Sequence, residues 1–212
     1  MNQKNVSKNQ LRRYPVYLEY LKQKEAEGIK YISSPQIADS LNLSEEQVRK
    51  DLNLISRNSG KPKVGREIKL LIFDIEEFLG YRDTQTAVLV GAGHLGRALM
   101  AHDGFLHYGL NITCAFDNDI NKVDCIFYNK YIYPISKLEE KCKELNAHIG
   151  IIAVPQQYAQ EICDKLINAG IKGIWNFSSS ILKVSDDVIV QNVNMASSLA
   201  ILSNKLKEKL YK

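Results

Sequence analysis

Thr86-Ala87-Val88-Leu89-Val90-Gly91-Ala92-Gly93-His94-Leu95-Gly96 is the stretch on which the reading of this 212-residue chain turns. Five residues without a charge, three of them β-branched, read as a strand buried on both faces. The strand runs straight into G-x-G-x-x-G, and helical periodicity resumes with Leu95, Ala98 and Leu99. A glycine triplet alone is a weak signal; a strand before it and a helix after it make it a strong one. Gly91 permits the tight turn, Gly93 lets backbone approach a diphosphate, and Gly96 lets helix and strand pack closely. Ala92, His94 and Leu95 complete the loop, whose helix N-terminus offers unpaired N–H groups to phosphate.

Downstream, the strand Asn111 to Phe116 ends in Asp117. An acid there accepts from ribose hydroxyls and repels a 2′-phosphate, so the expected cofactor is NAD(H) and not NADP(H). Strand and helix then alternate: a short strand at 131–133, a helix at 136–145, a strand at 147–153, a helix at 158–169 and a strand at 171–176. Val154-Pro155 halts the strand at 147–153 at the edge where ligands lie in such sheets, so both are candidate cofactor contacts. The alternation predicts a Rossmann-type, doubly wound parallel sheet. A last strand at 188–190 precedes a helix over 194–210 with an apolar stripe of Met195, Leu199, Leu202, Leu206 and Leu210, which must be buried on its own domain or on a second copy.

Upstream, Leu11, Tyr14, Leu18 and Leu21 recur at helical spacing, with Tyr17 alongside. Ser34 reads as the cap of a helix beginning at Pro35, with Ile37, Ala38 and Leu41 apolar. After a turn at Asn42-Leu43, Ser44 and Gln47 form a capping-box pattern for a second helix. Val48, Leu52 and Ile55 point its apolar face inward, leaving Gln47, Arg49, Lys50 and Asn53 outside. Two short helices joined by a tight turn, the second dressed in Arg, Lys, Gln and Asn, suit a reader of the major groove. Gly60, Pro62 and Gly65 then mark turns among Lys61, Lys63 and Arg66, a basic wing for the DNA backbone or minor groove. Ser34, Gln47, Arg49, Lys50, Asn53, Lys61, Lys63 and Arg66 are therefore the candidate DNA contacts. A helix over 69–79 closes this part at Gly80.

Net charge is only +4, too small by itself to argue for nucleic acid. Its distribution says more, because residues 47–69 hold seven basic and two acidic side chains, an excess able to neutralise phosphates. Cys114, Cys125, Cys142 and Cys163 have no metal-ligand spacing, so no metal is expected. No apolar run approaches a membrane span and no leader is visible at the N-terminus, so a cytoplasmic address with no membrane partner is expected.

At this point the whole chain resembles the Rex family of redox-sensing transcriptional repressors. The resemblance is carried by RYPVYL (13–18), SSPQIA (33–38), VRKDL (48–52), LVGAGHLGRAL (89–99), AFD (115–117), Val154-Pro155, AGIKGIWNF (169–177) and residues 182–184. It implies a homodimer with swapped C-terminal helices, each winged helix reading half of a palindromic double-stranded operator. It also implies NADH and NAD⁺ as effectors, with NADH releasing DNA and NAD⁺ favouring binding, and no catalysed reaction. Two positions that the family uses to couple nicotinamide to domain movement differ: His102 stands for the usual tyrosine and Asn194 for the usual aspartate. His94 likewise replaces the usual Asn of the glycine loop, Ser178-Ser179 replace Ala-Pro, and residues 53–66 fit with about one inserted residue. Both His102 and Asn194 are kept as candidate cofactor contacts.

Two other readings compete. An NAD-dependent oxidoreductase needs a positioned acid or base beside the nicotinamide. Only His94, His102 and His107 lie near the loop, none is paired at motif spacing, and there is no substrate domain, so the chain is not expected to be an enzyme. A DNA-binding regulator answering to another adenine nucleotide, such as CoA, would keep the same architecture. The expected organisation is a winged helix-turn-helix domain at 1–82, a Rossmann NAD(H)-binding domain at 83–192 and a dimerisation helix at 193–212.

Overall fold

The computed structural model describes residues 6–57, 60 and 64–211. Lys61 and Lys63, two of the expected DNA contacts, lie outside the described residues. The chain divides into two compact units, Met1–Asp83 and Thr84–Lys212.

The first unit holds α1 (Lys8–Ala26), β1 (Tyr31–Ile32), α2 (Ser34–Leu41), α3 (Glu45–Ile55), β2 (Arg66–Glu67) and α4 (Ile68–Leu79). Ser7 and Gln10 form a reciprocal capping box at the start of α1, earlier than the apolar periodicity suggested. Leu11 is correspondingly exposed, while Tyr14, Tyr17, Leu18 and Leu21 are buried. The cap of α2 is Ser33, closing a capping box with Gln36, which places Ser34 inside the helix and corrects the expectation that Ser34 caps it. Asn42 ends α2 in a left-handed conformation, as its short amide side chain allows. Ser44 accepts from the Gln47 N–H, the first half of the expected box. α1 packs on α4 and α2 on α3. β1 and β2 pair antiparallel, with Ile32 opposite Arg66. Gly65 makes this pairing possible: its φ is +94°, and a Cβ there would collide with the Ile32 carbonyl oxygen.

The second unit is a seven-stranded sheet built from β3 (Gln85–Val90), β4 (Leu110–Asp117), β5 (Cys125–Phe127), β6 (Lys130–Pro134), β7 (Ile149–Ile152), β8 (Gly173–Asn176) and β9 (Ile189–Asn192). Their spatial order is β5-β6-β4-β3-β7-β8-β9. All neighbours are parallel except β5, which adds antiparallel outside β6. Without β5 the order is 3-2-1-4-5-6, that of a doubly wound dinucleotide-binding sheet. The sequence reading missed β5, a three-residue edge strand joined to β6 through Tyr128 and Asn129, both at positive φ.

Alternation along β3 divides the core. Val88 and Val90 face a cluster with α6 (Leu138–Glu144) and α7 (Ala159–Asn168) through Cys142, Ile162 and Leu166. Ala87 and Leu89 face the side of α5 (His94–Ala101) through Leu99 and Met100. The inward face of α5 is therefore Gly96, Leu99 and Met100, not Leu95 and Ala98. The chain ends in α8 (Met195–Leu210), capped by the Asn194 side chain, with no residue buried.

Candidate functional site

The sheet's strand order reverses at β3, whose two neighbours β4 and β7 are reached in opposite directions. A crevice must open there, beyond the C-terminal ends of the strands. It does so as a cleft of about 380 Å³ lined by Gly91, Gly93, Asp117, Val154 and Pro155 among others. Each loop glycine has its own reason. Gly91, at φ +105°, passes so close to β7 that a Cβ would lie 2.5 Å from the Ala153 carbonyl oxygen. A Cβ on Gly96 would collide with the Gly91 carbonyl oxygen. A Cβ on Gly93 would meet nothing within 4 Å. Structure forbids a side chain at the first two positions; at Gly93 the fold leaves free space in front of the helix. The first turn of α5 has no side-chain cap, so its N–H groups and the positive end of its dipole face that space. His94 and Leu95 open this turn, both exposed.

Asp117, at the end of β4, is 7% exposed. One carboxylate oxygen accepts from the Ala92 N–H at 2.7 Å and the other from the Asp119 N–H at 2.9 Å. This side chain therefore shapes the glycine loop as well as lining the cleft. Lys122 stands 4.0 Å from Asp117 and 3.1 Å from Asp119. It lines the same cleft, as does Tyr158. The sequence reading missed both as cleft residues: Lys122 lies in a turn without periodicity, and Tyr158 reads only as the start of a helix, whereas it ends a short 3-10 turn ahead of α7.

His102 and Asn194 do not line the cleft. His102 is the C-cap of α5, at the far end of the helix from the glycine loop, and its ring stands edge-on to Phe105 at 4.6 Å. Asn194 caps α8. A run of hydrogen bonds nevertheless links the cleft wall to the segment before α8. Ser180 Oγ donates to the carbonyl of Gln156, just past Pro155. The fully buried Asn176 accepts from Ser178 and donates to Ser180 O and Asn192 Oδ1.

Three of the four thiols are buried. Burial pushes the Cys114 thiol up to about 12 and those of Cys142 and Cys163 to about 11, so all three stay protonated and unreactive near neutrality. Among the described residues, no group of side chains is placed to hold a metal ion, and no helix is long and apolar enough to cross a membrane.

In the first unit, α3 presents Gln47, Arg49, Lys50 and Asn53 outside its buried face. Ser34, Arg49, Asn53 and Arg66 meet along one cleft between α3, the start of α2 and β2; Arg66 donates to Asn53 Oδ1. The helix is held from behind by a residue that the sequence reading overlooked. Asp51, 1% exposed, accepts from Arg13 Nε at 2.6 Å, Arg13 Nη2 at 2.8 Å, Tyr17 Oη at 2.8 Å and Gln10 Nε2 at 3.2 Å. Tyr14 Oη adds a bond to its carbonyl. Burial opposes ionisation of Asp51, yet Arg13, Tyr17 and Gln10 outweigh it and hold the carboxyl below its ordinary value. Burial, helped by Asp51, pushes the Tyr14 hydroxyl up to about 12. A polar residue among Val48, Leu52 and Ile55 was the available signal.

Two family models match: one described as a CoA binding domain over residues 82–180, the other as a putative DNA-binding protein N-terminus over residues 5–53. The redox-sensing transcriptional repressor Rex of Treponema denticola is 43% identical over 199 residues, covering 94% of each chain. The chain belongs to the Rex family. The Rex of Carboxydothermus hydrogenoformans is 40% identical, covering 92% of this chain and 93% of its own. Among solved structures, RSP, a Rex-family repressor, matches in its complex with β-NAD⁺ and operator DNA at TM-score 0.91 and 31% identity, covering 99% of this chain and 96% of RSP. The RSP complex with β-NADH matches at TM-score 0.89 and 31% identity, covering 99% and 98%. Membership in Rex gives the two units one architecture, an N-terminal DNA-binding domain followed by a Rossmann-type sheet, and places the chain among repressors and not among enzymes.

Proposed function

We propose that this Rex-family protein represses transcription by binding operator DNA and that the NADH/NAD⁺ ratio sets its occupancy, NADH releasing it. The observation that carries the reading is the cradle at Gly93. An uncapped helix start faces free space, beside an acid that is itself bonded to the glycine loop. His94 and Leu95 N–H groups would hold the diphosphate and Asp117 the adenosine ribose. The nearly buried carboxylate of Asp117 disfavours an adenosine ribose carrying a phosphate, as in NADP(H) or CoA, and this favours NAD(H) over the CoA reading that the family model at 82–180 raises.

Residues 1–82 would contact DNA through Ser34, Gln47, Arg49, Lys50, Asn53, Lys61, Lys63 and Arg66. Residues 83–192 would bind the dinucleotide. The helix within 193–212 would pair two copies, so that a homodimer spans a palindrome in the cytoplasm. Six large apolar side chains of α8, from Met195 to Leu210, are each more than half exposed, which is the reason to expect that a second copy covers them. His102, at the end of α5, and Asn194, at the start of α8, are the further cofactor contacts in this reading.

Operator affinity measured across a wide range of NADH/NAD⁺ ratios tests the proposal. Affinity should fall as NADH rises; a flat response removes redox sensing. Thermal shift with NADH, NAD⁺, NADPH and CoA tests the ligand, and stabilisation by CoA alone would replace NAD(H) with CoA.

A further inference from the structure

Glu45 opens α3, and its setting differs from that of its neighbour Glu46. Lys50 Nζ closes on Glu46 Oε1 at 2.7 Å. Arg49 Nη1 stays 3.8 Å from Glu45 Oε1, outside hydrogen-bond reach, with both side chains more than half exposed. Residues 45, 49 and 53 follow one another at four-residue intervals and line the same cleft. Glu45 thus holds an acceptor with open lone pairs beside the cation best suited to guanine.

We propose that Glu45 is a specificity residue for DNA: it accepts from the N4 amino group of a cytosine in the major groove, while Arg49 donates to the O6/N7 edge of a guanine one or two steps away. The inference rests on the operator-binding reading. A carboxylate brought to DNA is repelled by phosphate and has nothing to donate, so its favourable partners are the exocyclic amino groups. Adenine sets an N7 acceptor next to its N6 donor, and that acceptor would face the second carboxylate oxygen. Cytosine offers a donor alone. The first turn of a recognition helix is where base edges are met. Side chains one turn apart start about 5–6 Å from each other, against about 3.4 Å per base step, which fixes the spacing to one or two steps.

The test is selection of sites from a randomised duplex pool by the full chain and by its Glu45→Ala and Glu45→Gln variants. The wild type should enrich a cytosine within two steps of a guanine. Changing that cytosine in the selected site should weaken wild-type binding by about tenfold. Glu45→Ala should flatten that column and leave the guanine column intact. Glu45→Gln should move the column to adenine, because a carboxamide pairs with the N6/N7 edge; misfolding cannot generate a new base preference. Base preferences unchanged in both variants, with affinity rising equally for every duplex, would show Glu45 to be only a repulsive charge and would overturn the inference. A wild type that selects no sequence would remove the operator-binding reading itself.

Discussion

Asp51 is a carboxylate sealed behind the outward face of α3, and its partners are a guanidinium, a phenol and an amide. Removing it as Asp51→Ala leaves Arg13, 18% exposed at its side chain, without its counter-charge. Breaking such a buried pair from one side costs about 3–5 kcal/mol, and urea unfolding of the purified protein should show the loss in the transition of the N-terminal unit. The folded carboxyl titrates below its unfolded value of about 3.9, so its stabilisation is fully present above that value. It is lost as pH falls through the lower folded value. Acid unfolding followed by circular dichroism should therefore begin below about pH 4, and Asp51→Asn should flatten that limb. Gly93 makes the complementary case. The space in front of its Cα is open, so Gly93→Ala should leave the melting temperature of the free protein near normal. It should weaken NADH binding by at least about tenfold, ~1.4 kcal/mol, in a calorimetric titration. Gly96→Ala, which strikes the Gly91 carbonyl, should instead lower the melting temperature without ligand.

The elements were legible where periodicity or a glycine signature had tertiary support. β3, the loop and α5 could be read from eleven residues because a double-faced strand, a tight turn and a helix start each impose their own residue types. Ser44 and Asn42 likewise bounded their helices by local hydrogen bonding. What escaped were features whose cause lies elsewhere in the chain. β5 exists because β6 offers it an edge, and three residues carry too little pattern to announce that. Asp51 reads as a helix polar residue until Arg13 and Tyr17 arrive from α1. Lys122 and Tyr158 join the cleft only through the sheet order. The cap of α2 shifted by one residue because Ser33, not Ser34, is the one answered by Gln36. α8 has its own test at this scale. Leu199 and Leu206 are both exposed in the single chain, so charging them as Leu199→Glu with Leu206→Glu costs that chain little. If α8 pairs two copies, sedimentation should fall from twice the chain mass to once, while NADH binding by the Rossmann unit persists.

At the scale of the whole molecule, the proposed switch links the glycine-loop cleft of one unit to the outward face of α3 in the other. A ligand shifts such a system only by its difference in affinity for the DNA-bound and released states. That difference is reciprocal: whatever factor NADH takes from operator affinity, operator must take from NADH affinity. The most direct measurement is the NADH dissociation constant of the full chain, free and saturated with operator duplex, alongside operator affinity with and without NADH. NADH should bind more weakly on the operator, by the same factor that NADH takes from operator affinity. Equal NADH affinity with and without operator would contradict it.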